Sequence, residues 1–282
     1  MSMMSGTTKE EMLWQAATDG DLDQVKQLTS DPTVDINWGD GERQRTALYR
    51  ACGHGQVAVV RHLLGDPRLD VSKRNENGAT PLYIACQENQ VEVVKLLLGD
   101  PRADVRLAAI EGVTPFIIAC EYGHLQVVSL LLSHPLINVN DTSDSGVTPF
   151  FMAAQNGMTD IIAMLLTDPR TDPNKPKQNE SSPLFIASQN GHLPIVQLIL
   201  SSGKPVDTQR KSQWNSKTPA AAARWAAVQP LWKNYLNDDE ERRRAHCPAI
   251  ADLIDEYEGN QVDTRAKIIR LPTIRGQFRL PP

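Results

Sequence analysis

The stretch LLLGDPRADV, Leu96–Val105, ends a run of leucines with an Asp-Pro-Arg that the interior of a helix would not tolerate. Four related stretches share this pattern: LTSDPTVDI from Leu28, LLGDPRLDV from Leu63, LLSHPLINV from Leu131 and LLTDPRTDP from Leu165. The five prolines stand at positions 32, 67, 101, 135 and 169, so the steps between them are 35, 34, 34 and 34 residues. A fixed period of this size indicates a repeat architecture in which each proline marks the end of one unit.

One unit, read from Gly78 to Glu111, predicts two helices and an extended arm. Thr80-Pro81 favours a helix start, because threonine caps the first turn and proline lacks an amide that would be unpaired there. Asn89, where other units have glycine, suits a left-handed turn after this short helix. The second helix carries an apolar stripe formed by Val93, Val94, Leu97 and Leu98. Asp100-Pro101 ends that helix, since the residue before a proline is pushed out of the helical conformation.

Composition and charge narrow the classes of partner. The 282 residues are 40% apolar, and 29 basic against 34 acidic residues give a formal charge of −5. Such a chain offers no overall basic field to hold a polyanion, so nucleic acid is a poor default partner. The N-terminal MSMMSGTTKEEM lacks the pattern of a signal peptide, and no apolar run approaches the roughly 20 residues that span a bilayer. We expect a soluble protein, cytoplasmic or nuclear, with no membrane partner.

Neither the cysteines nor any sequence motif indicates a catalytic, metal or cofactor site. Cys52, Cys86 and Cys120 stand 34 residues apart, and we interpret them as one core position used three times. Cys247, near an insertion in the last unit, is expected to be more accessible. No CxxC or HxxxH pair supplies zinc spacing, and GxGxxG, GxxxxGK, GxSxG and HExxH motifs are absent. The sequence therefore predicts no catalytic residue, no metal site and no cofactor.

The first helices carry a family resemblance. TPLYIA from Thr80, TPFIIA from Thr114, TPFFMA from Thr148 and SPLFIA from Ser182 resemble the TPLHxA core of ankyrin repeats, whose period is about 33 residues. The Gly-Asp-Pro-Arg turn adds one residue per unit, and the TPLYIACQ and LLLxDPRxDV variants are similar to those of ankyrin proteins from amoeboid protists and fungi. The resemblance implies an all-α ankyrin-repeat solenoid of about seven helix-turn-helix units with β-hairpin-like fingers, capped at both ends.

The unit pattern predicts the domain organisation. We expect an N-terminal tail over 1–10, a repeat domain over 11–258 and a basic C-terminal tail over 259–282 that either packs across the final helices or stays mobile. Units are expected to start near residues 11, 46, 80, 114, 148, 182 and 218. The last unit carries an insertion over about 226–246 before a second helix at Pro248–Glu258. Gln24 and Thr29 replace apolar residues of inner units, which predicts a polar N-terminal cap facing water.

Two departures from the family pattern concern contacts between units. The histidine of TPLH is replaced, and so is the usual aspartate of the finger; the substitutes are Tyr49, Tyr83, Ile117, Phe151 and Phe185 for histidine, and Asn75, Ala109, Ser143 and Lys177 for aspartate. We therefore expect apolar stacking to take the place of the hydrogen bonds that join adjacent fingers. His54, His124 and His192 stand at or near the family's Gly-His pair, for which the resemblance implies structural hydrogen bonds.

Solenoids of this type offer a concave face made of finger tips and the exposed side of each first helix. The candidate contact residues on this face are His54, Gln87, Glu88, Glu121, Tyr122, Gln155, Asn156, Gln189 and Asn190. In the finger RLAAIEG, Leu107 and Ile110 replace the polar residues of other fingers, and beside Tyr122 they predict an interaction hot spot. The alternative is that Leu107 and Ile110 fold onto neighbouring fingers and replace the absent aspartate.

The predicted face is mostly polar and mixed in charge, which favours an unidentified protein or peptide partner. We therefore expect a monomeric, non-catalytic protein–protein interaction module. The alternative is a regulatory or inhibitory subunit of an enzyme, acting through the C-terminal insertion and basic tail; nucleic-acid binding through the tail is the least favoured hypothesis. The run Arg242–Arg244 is interpreted as a solvated helix face, with a nuclear import signal as its alternative.

Overall fold

The computed structural model of the chain describes residues 7–228, 238–271 and 274. The described residues form fifteen α-helices and no strands, apart from one isolated bridge between Gly39 and Thr46. The expected β-hairpin-like fingers are therefore connections built mainly from turns, because their arms are too short to pair as strands. The chain divides into two compact units, Met1–Asn138 and Val139–Pro282.

The first unit is built from helix pairs in two layers. The first helices of the pairs pack on one another in chain order, and so do the second helices. The first helices are α1 (Lys9–Asp19), α3 (Ala47–Gly53), α5 (Pro81–Gln87) and α7 (Pro115–Glu121), and the second helices are α2 (Leu22–Thr29), α4 (Val57–Leu64), α6 (Val91–Leu98) and α8 (Leu125–Ser133). The finger before α7 contains a short 3₁₀ turn, Ile110–Gly112.

The second unit continues the same design and adds a helix. Its helices are α9 (Pro149–Asn156), α10 (Thr159–Thr167), α11 (Pro183–Gln189), α12 (Leu193–Ser201), α13 (Pro219–Val228), α14 (Asp238–Gly259) and α15 (Gln261–Ile269). The helix expected over Pro248–Glu258 begins earlier, at Asp238, with Pro248 inside it. The expected basic tail includes α15, which packs on α12 and α14 and buries Thr264 and Ile268. Residues 229–237 of the predicted insertion, and the side chains of 228–244 including Arg242–Arg244, lie outside the described part of the chain.

Helix starts and stops follow the predicted signals. The Thr80 hydroxyl accepts a hydrogen bond from the backbone N–H of Tyr83 at 3.1 Å, and the equivalent residues of other units do the same. Helix α6 ends at Leu98, before Asp100-Pro101, and Asn89 has the expected left-handed conformation with φ 55°. Helix α1 begins at Lys9, where Thr8 and Glu11 form a reciprocal capping box.

The predicted core position is confirmed: Cys52, Cys86 and Cys120 are fully buried, and burial raises the pKa of all three thiols. The accessibility expected for Cys247 is wrong. Cys247 is 1% exposed, because α14 packs against α11 and α12 and brings its sulfur 4.0 Å from the Ser188 carbonyl oxygen. This packing was not predicted because the last helix was expected to begin at Pro248, after Cys247, whereas α14 includes Cys247.

The polar N-terminal cap is also wrong for Thr29. This residue is 9% exposed, and its hydroxyl donates to the Val25 carbonyl oxygen and hydrogen-bonds with His62 Nε2, both at 2.9 Å. His62 belongs to α4, so the Thr29 hydroxyl joins two neighbouring second helices instead of facing water.

Hydrogen bonds between adjacent fingers persist, contrary to the expectation of apolar stacking. In the first unit, the N–H of Glu76 donates to the Arg43 carbonyl at 3.0 Å, and that of Ile110 donates to the Asn77 carbonyl at 2.8 Å. In the second unit, Gln178 donates to Ser145 at 3.0 Å in the same way. Because these bonds join backbone groups, they do not require the aspartate that is usual in the family's fingers.

The Asp-Pro-Arg turn links one repeat to the previous one. The Arg102 guanidinium pairs with Asp100 at 2.7 Å, and it donates to the carbonyl oxygens of Leu64 at 2.6 Å and Asp66 at 3.1 Å. Arg68 makes the same kind of bond, to the Thr29 carbonyl at 2.8 Å. The arginine therefore bonds the last carbonyl group of the preceding second helix, at Leu64 or Thr29, which has no partner within that helix.

Arg102→Ala is expected to lower the free energy of unfolding by about 1 kcal/mol near neutral pH, a value below the usual range for hydrogen bonds to charged groups because the side chain is partly exposed. Arg102→Lys should recover only part of the loss, since lysine lacks the planar fork. The Arg102 hydrogen bond lowers the pKa of Asp100, so this part of the stability is present above the unfolded pKa of about 3.9 and is lost as the pH falls through the folded pKa. Urea unfolding of the three proteins at about pH 7 and about pH 3.5 should show the deficit shrinking in acid. A deficit that grows in acid would contradict this assignment.

Candidate partner-binding site

A groove of about 690 Å³ lies on the first unit, between the fingers and the first helices α3 and α5. Four of the sequence-predicted contact residues line it together: His54, Gln87, Glu88 and Ile110. His54 and Glu88 follow α3 and α5 directly, at equivalent positions 34 residues apart. The repeat period therefore brings side chains that are distant in the sequence to one surface.

Two tyrosines form part of the groove wall. Tyr49 and Tyr83 occupy the position of the family's TPLH histidine in α3 and α5, and both are half-buried. Burial raises the pKa of Tyr83 to about 12, with Glu121, Tyr122 and Tyr49 adding in the same direction. In the sequence these tyrosines are recognisable as replacements for the family's histidine, and two aromatic residues one repeat apart are also a signal of a shared groove wall.

Three arginines that were not predicted as contact residues line the groove together with Tyr49. Arg43 lies in a finger, Arg45 just before α3, and Arg50 within α3. Burial raises the pKa of Tyr49, while the positive charges of Arg45, Arg50 and Arg43 act against that increase. The groove thus has a cationic end, although the chain as a whole is acidic.

Arg45 and Arg50 differ in the contacts that their guanidinium groups make. Arg45 pairs with Asp40 at 2.7 Å. The Arg50 guanidinium lies over the Trp14 ring, 4.7 Å from its centroid, and its Nε donates to the Thr18 hydroxyl at 3.2 Å. Burial lowers the pKa of Arg50, and the neighbouring charge of Arg45 lowers it further.

The three residues of the predicted hot spot, Leu107, Ile110 and Tyr122, do not line one common groove. Ile110 is 56% exposed and lines the groove, whereas Leu107 is half-buried in the same finger. Tyr122 is 53% exposed and stacks on His124 with ring centroids 5.9 Å apart, but it is not among the residues that line this groove. Glu121 is half-buried, and burial raises its pKa. Ile110 therefore shares a surface with the tyrosines of α3 and α5, while Tyr122 lies outside that groove.

In the second unit the predicted contact residues are partly used to join repeats. The Gln155 carbonyl oxygen accepts from Asn190 Nδ2 at 2.9 Å and hydrogen-bonds with His192 Nε2 at 3.0 Å. Gln155 and Gln189 are half-buried, and Asn156 is exposed. Asn190 thus acts as a structural link, and Asn156 is the most accessible of this set.

The histidine positions confirm part of the family expectation. His124 Nε2 hydrogen-bonds with the Gln87 carbonyl oxygen at 2.8 Å, and His192 makes the equivalent bond in the second unit. Gln56 and Gln90 take this role in earlier repeats, where their side-chain amides donate to carbonyl groups of the preceding repeat. His54 has no such bond in the described chain and is exposed in the groove.

The second unit also exposes an aromatic side chain that is not among the predicted contact residues. Trp214, in the connection before α13, is 64% exposed and meets Trp225 edge to face with ring centroids 6.1 Å apart. Phe151 and Phe185, at the positions of Tyr49 and Tyr83, are buried instead. Ile117, at the same position in α7 of the first unit, is also buried, so among the first helices from α3 to α11 this repeat position is half-exposed only in α3 and α5.

No group of three or more His, Cys, Asp or Glu side chains in the described residues is arranged to hold a metal ion. Across the same described residues, no helix is both long enough and apolar enough to cross a membrane.

Comparisons with known proteins agree on the fold. The family model described as ankyrin repeats (3 copies) matches residues 13–109 and 101–177, and the single ankyrin repeat model matches 179–211. The human ASB11 ankyrin repeat domain superimposes with a TM-score of 0.66 at 22% identity, covering 83% of this chain and 96% of that one. The ankyrin repeat domain of Bcl-3, a member of the IkappaB family, gives a TM-score of 0.66 at 24% identity, covering 75% and 92%. No curated protein matches the sequence significantly.

Proposed function

This chain belongs to the ankyrin repeat family, whose members generally mediate protein–protein interactions, and from that premise we propose that it is a non-catalytic binding module for a protein or peptide partner. The observation that carries the proposal is the groove of the first unit, which combines aromatic, charged and exposed apolar side chains on one surface. Aromatic and arginine side chains are the types that most often dominate binding energy at interfaces.

The groove's composition supports a polypeptide ligand in particular. Tyr49 and Tyr83 supply rigid amphipathic surface, while Gln87 and Glu88 supply hydrogen-bonding groups at the rim. Ile110 adds an exposed apolar side chain from the neighbouring finger. A peptide presents backbone amides, charges and apolar side chains within a few residues, so it can satisfy all of these groups together. We propose that a monomer of this chain binds such a segment.

Site-specific photo-crosslinking tests the proposal. A photoreactive amino acid placed at Glu88, in the groove, should capture a partner, whereas the same group at Lys95, exposed on α6, should not. With the captured partner purified, Ile110→Ser and Tyr83→Ala should each weaken binding by about 1 to 3 kcal/mol. Lys95→Ala and Gln126→Ala, both on second helices, should change it little. If the group at Lys95 captures the partner, and Lys95→Ala or Gln126→Ala weakens binding, the partner binds the layer of second helices. That result would contradict the proposed groove.

A further inference from the structure

The strongest unexplained feature is the cationic end of the groove. Arg43, Arg45 and Arg50 lie together there in a chain whose formal charge is −5. Arg45 is neutralised by Asp40, but no ion pair of the described residues involves Arg43 or Arg50. Two guanidinium groups therefore line the groove without a carboxylate partner within salt-bridge distance.

The Arg50 guanidinium and the backbone of Arg43 are positioned before any ligand arrives. The Trp14 ring and the Thr18 hydroxyl hold Arg50, and Nε is the guanidinium atom used in the bond to Thr18. The backbone of Arg43 is fixed because its carbonyl accepts from Glu76 and its N–H donates to the Asp40 carboxylate at 2.8 Å. Pairing with the pre-ordered Arg50 guanidinium costs less conformational entropy on binding, whereas the exposed Arg43 side chain has to be ordered by the ligand.

Other lining residues of the groove add apolar character. Ile110 is 56% exposed, and Ile84 of α5, which lines the same groove, is half-buried. Glu88 is the one acidic side chain among the lining residues, and it repels a continuous polyanion. The combination suits a ligand with a few localised negative charges and an apolar side chain, rather than a nucleic-acid backbone.

We infer that the groove recognises an acidic segment of a partner protein, with Asp or Glu carboxylates paired to Arg43 and Arg50 and an apolar side chain against Ile110 and Ile84. This inference rests on the proposed binding function and specifies its ligand. Arginine forks match carboxylates in bidentate geometry, which provides specificity for aspartate and glutamate side chains as well as attraction.

Selection from a displayed library of random peptides on the full chain tests the inference. The selected peptides should be enriched in Asp and Glu close to an apolar residue. In fluorescence polarisation with one such labelled peptide, Arg43→Glu and Arg50→Glu should each weaken binding by about tenfold or more. Arg61→Glu, which makes the same charge change at an exposed position on α4, is the matched control and should stay within about twofold. Because Arg43 is exposed, its variant tests the inference even where Arg50→Glu impairs folding.

Three outcomes would overturn the inference. In the first, the selected peptides lack acidic residues and bind more weakly to Ile110→Ser but not to Arg43→Glu. The groove then binds peptides, and only the specificity for acidic segments is wrong. If a 20-residue single-stranded oligonucleotide binds through Arg43 more tightly than any selected peptide, the cationic end is a polyanion site. If bound peptides respond to none of the groove variants, including Tyr83→Ala, the proposed groove function fails together with the inference.

Discussion

Ala119→Arg is expected to unfold several repeats of the first unit together, the largest effect we expect from a single substitution. Ala119 is fully buried in α7, which packs on α5, and its small side chain permits the close approach of the helices. A buried arginine without a partner, in a space that fits one methyl group, should cost about 4 kcal/mol or more. Because the stability of each repeat depends on its neighbours, the damage should spread beyond the substituted helix pair.

Urea unfolding followed by circular dichroism and hydrogen exchange measures that spread. We expect peptides from α5 and α6, as well as α7 and α8, to lose protection in Ala119→Arg. Ser129→Arg introduces the same side chain at an exposed position on α8 and is expected to unfold like the unsubstituted protein. Loss of protection limited to α7 and α8 would show that the repeats unfold independently.

Phe151→Ala is expected to lower the free energy of unfolding by about 3 to 5 kcal/mol, because removing a buried aromatic side chain leaves a cavity that its neighbours fill only in part. Phe151 is fully buried in α9, and the Lys177 ammonium lies 5.5 Å from its ring centroid. Tyr83, at the equivalent position of α5, is half-buried and lines the groove. Tyr83→Ala should therefore cost about 1 to 2 kcal/mol of stability, less than Phe151→Ala.

Chemical denaturation of the two variants under the same conditions separates these roles. Tyr83→Ala should keep most of its stability and lose affinity for a groove ligand, while Phe151→Ala should lose stability. Phe151→Leu, which refills most of the space, serves as the conservative control and should recover a large part of the loss. Equal stability losses in Tyr83→Ala and Phe151→Ala would contradict the distinction between groove wall and core.

The candidate site could be predicted from the sequence only in part. The 34-residue period and the solenoid architecture selected His54, Gln87 and Glu88, and the apolar departure from other fingers selected Ile110; the structure brings all four into one groove. The repeat pattern did not reveal Arg43 or Arg50, because these residues reach the groove from a finger and from a helix flank whose neighbours are set by packing. It also selected Asn190, which joins two repeats through the Gln155 carbonyl. Repeat position alone does not distinguish a side chain that faces a ligand from one that bonds the neighbouring repeat.

Local chemistry in the sequence by itself determined where the helices begin and end and which residues repeat in the core. The cap of Thr80, the break at Asp100-Pro101 and the core position of Cys86 each depend on interactions within a few residues or on a strict period. Only the tertiary structure decided the burial of Cys247 and the bonds from Arg102 to the previous repeat, since both join groups distant in sequence. It likewise made Tyr83 a groove wall and Phe151 a core residue, because exposure at equivalent positions depends on how neighbouring helices and fingers cover each ring.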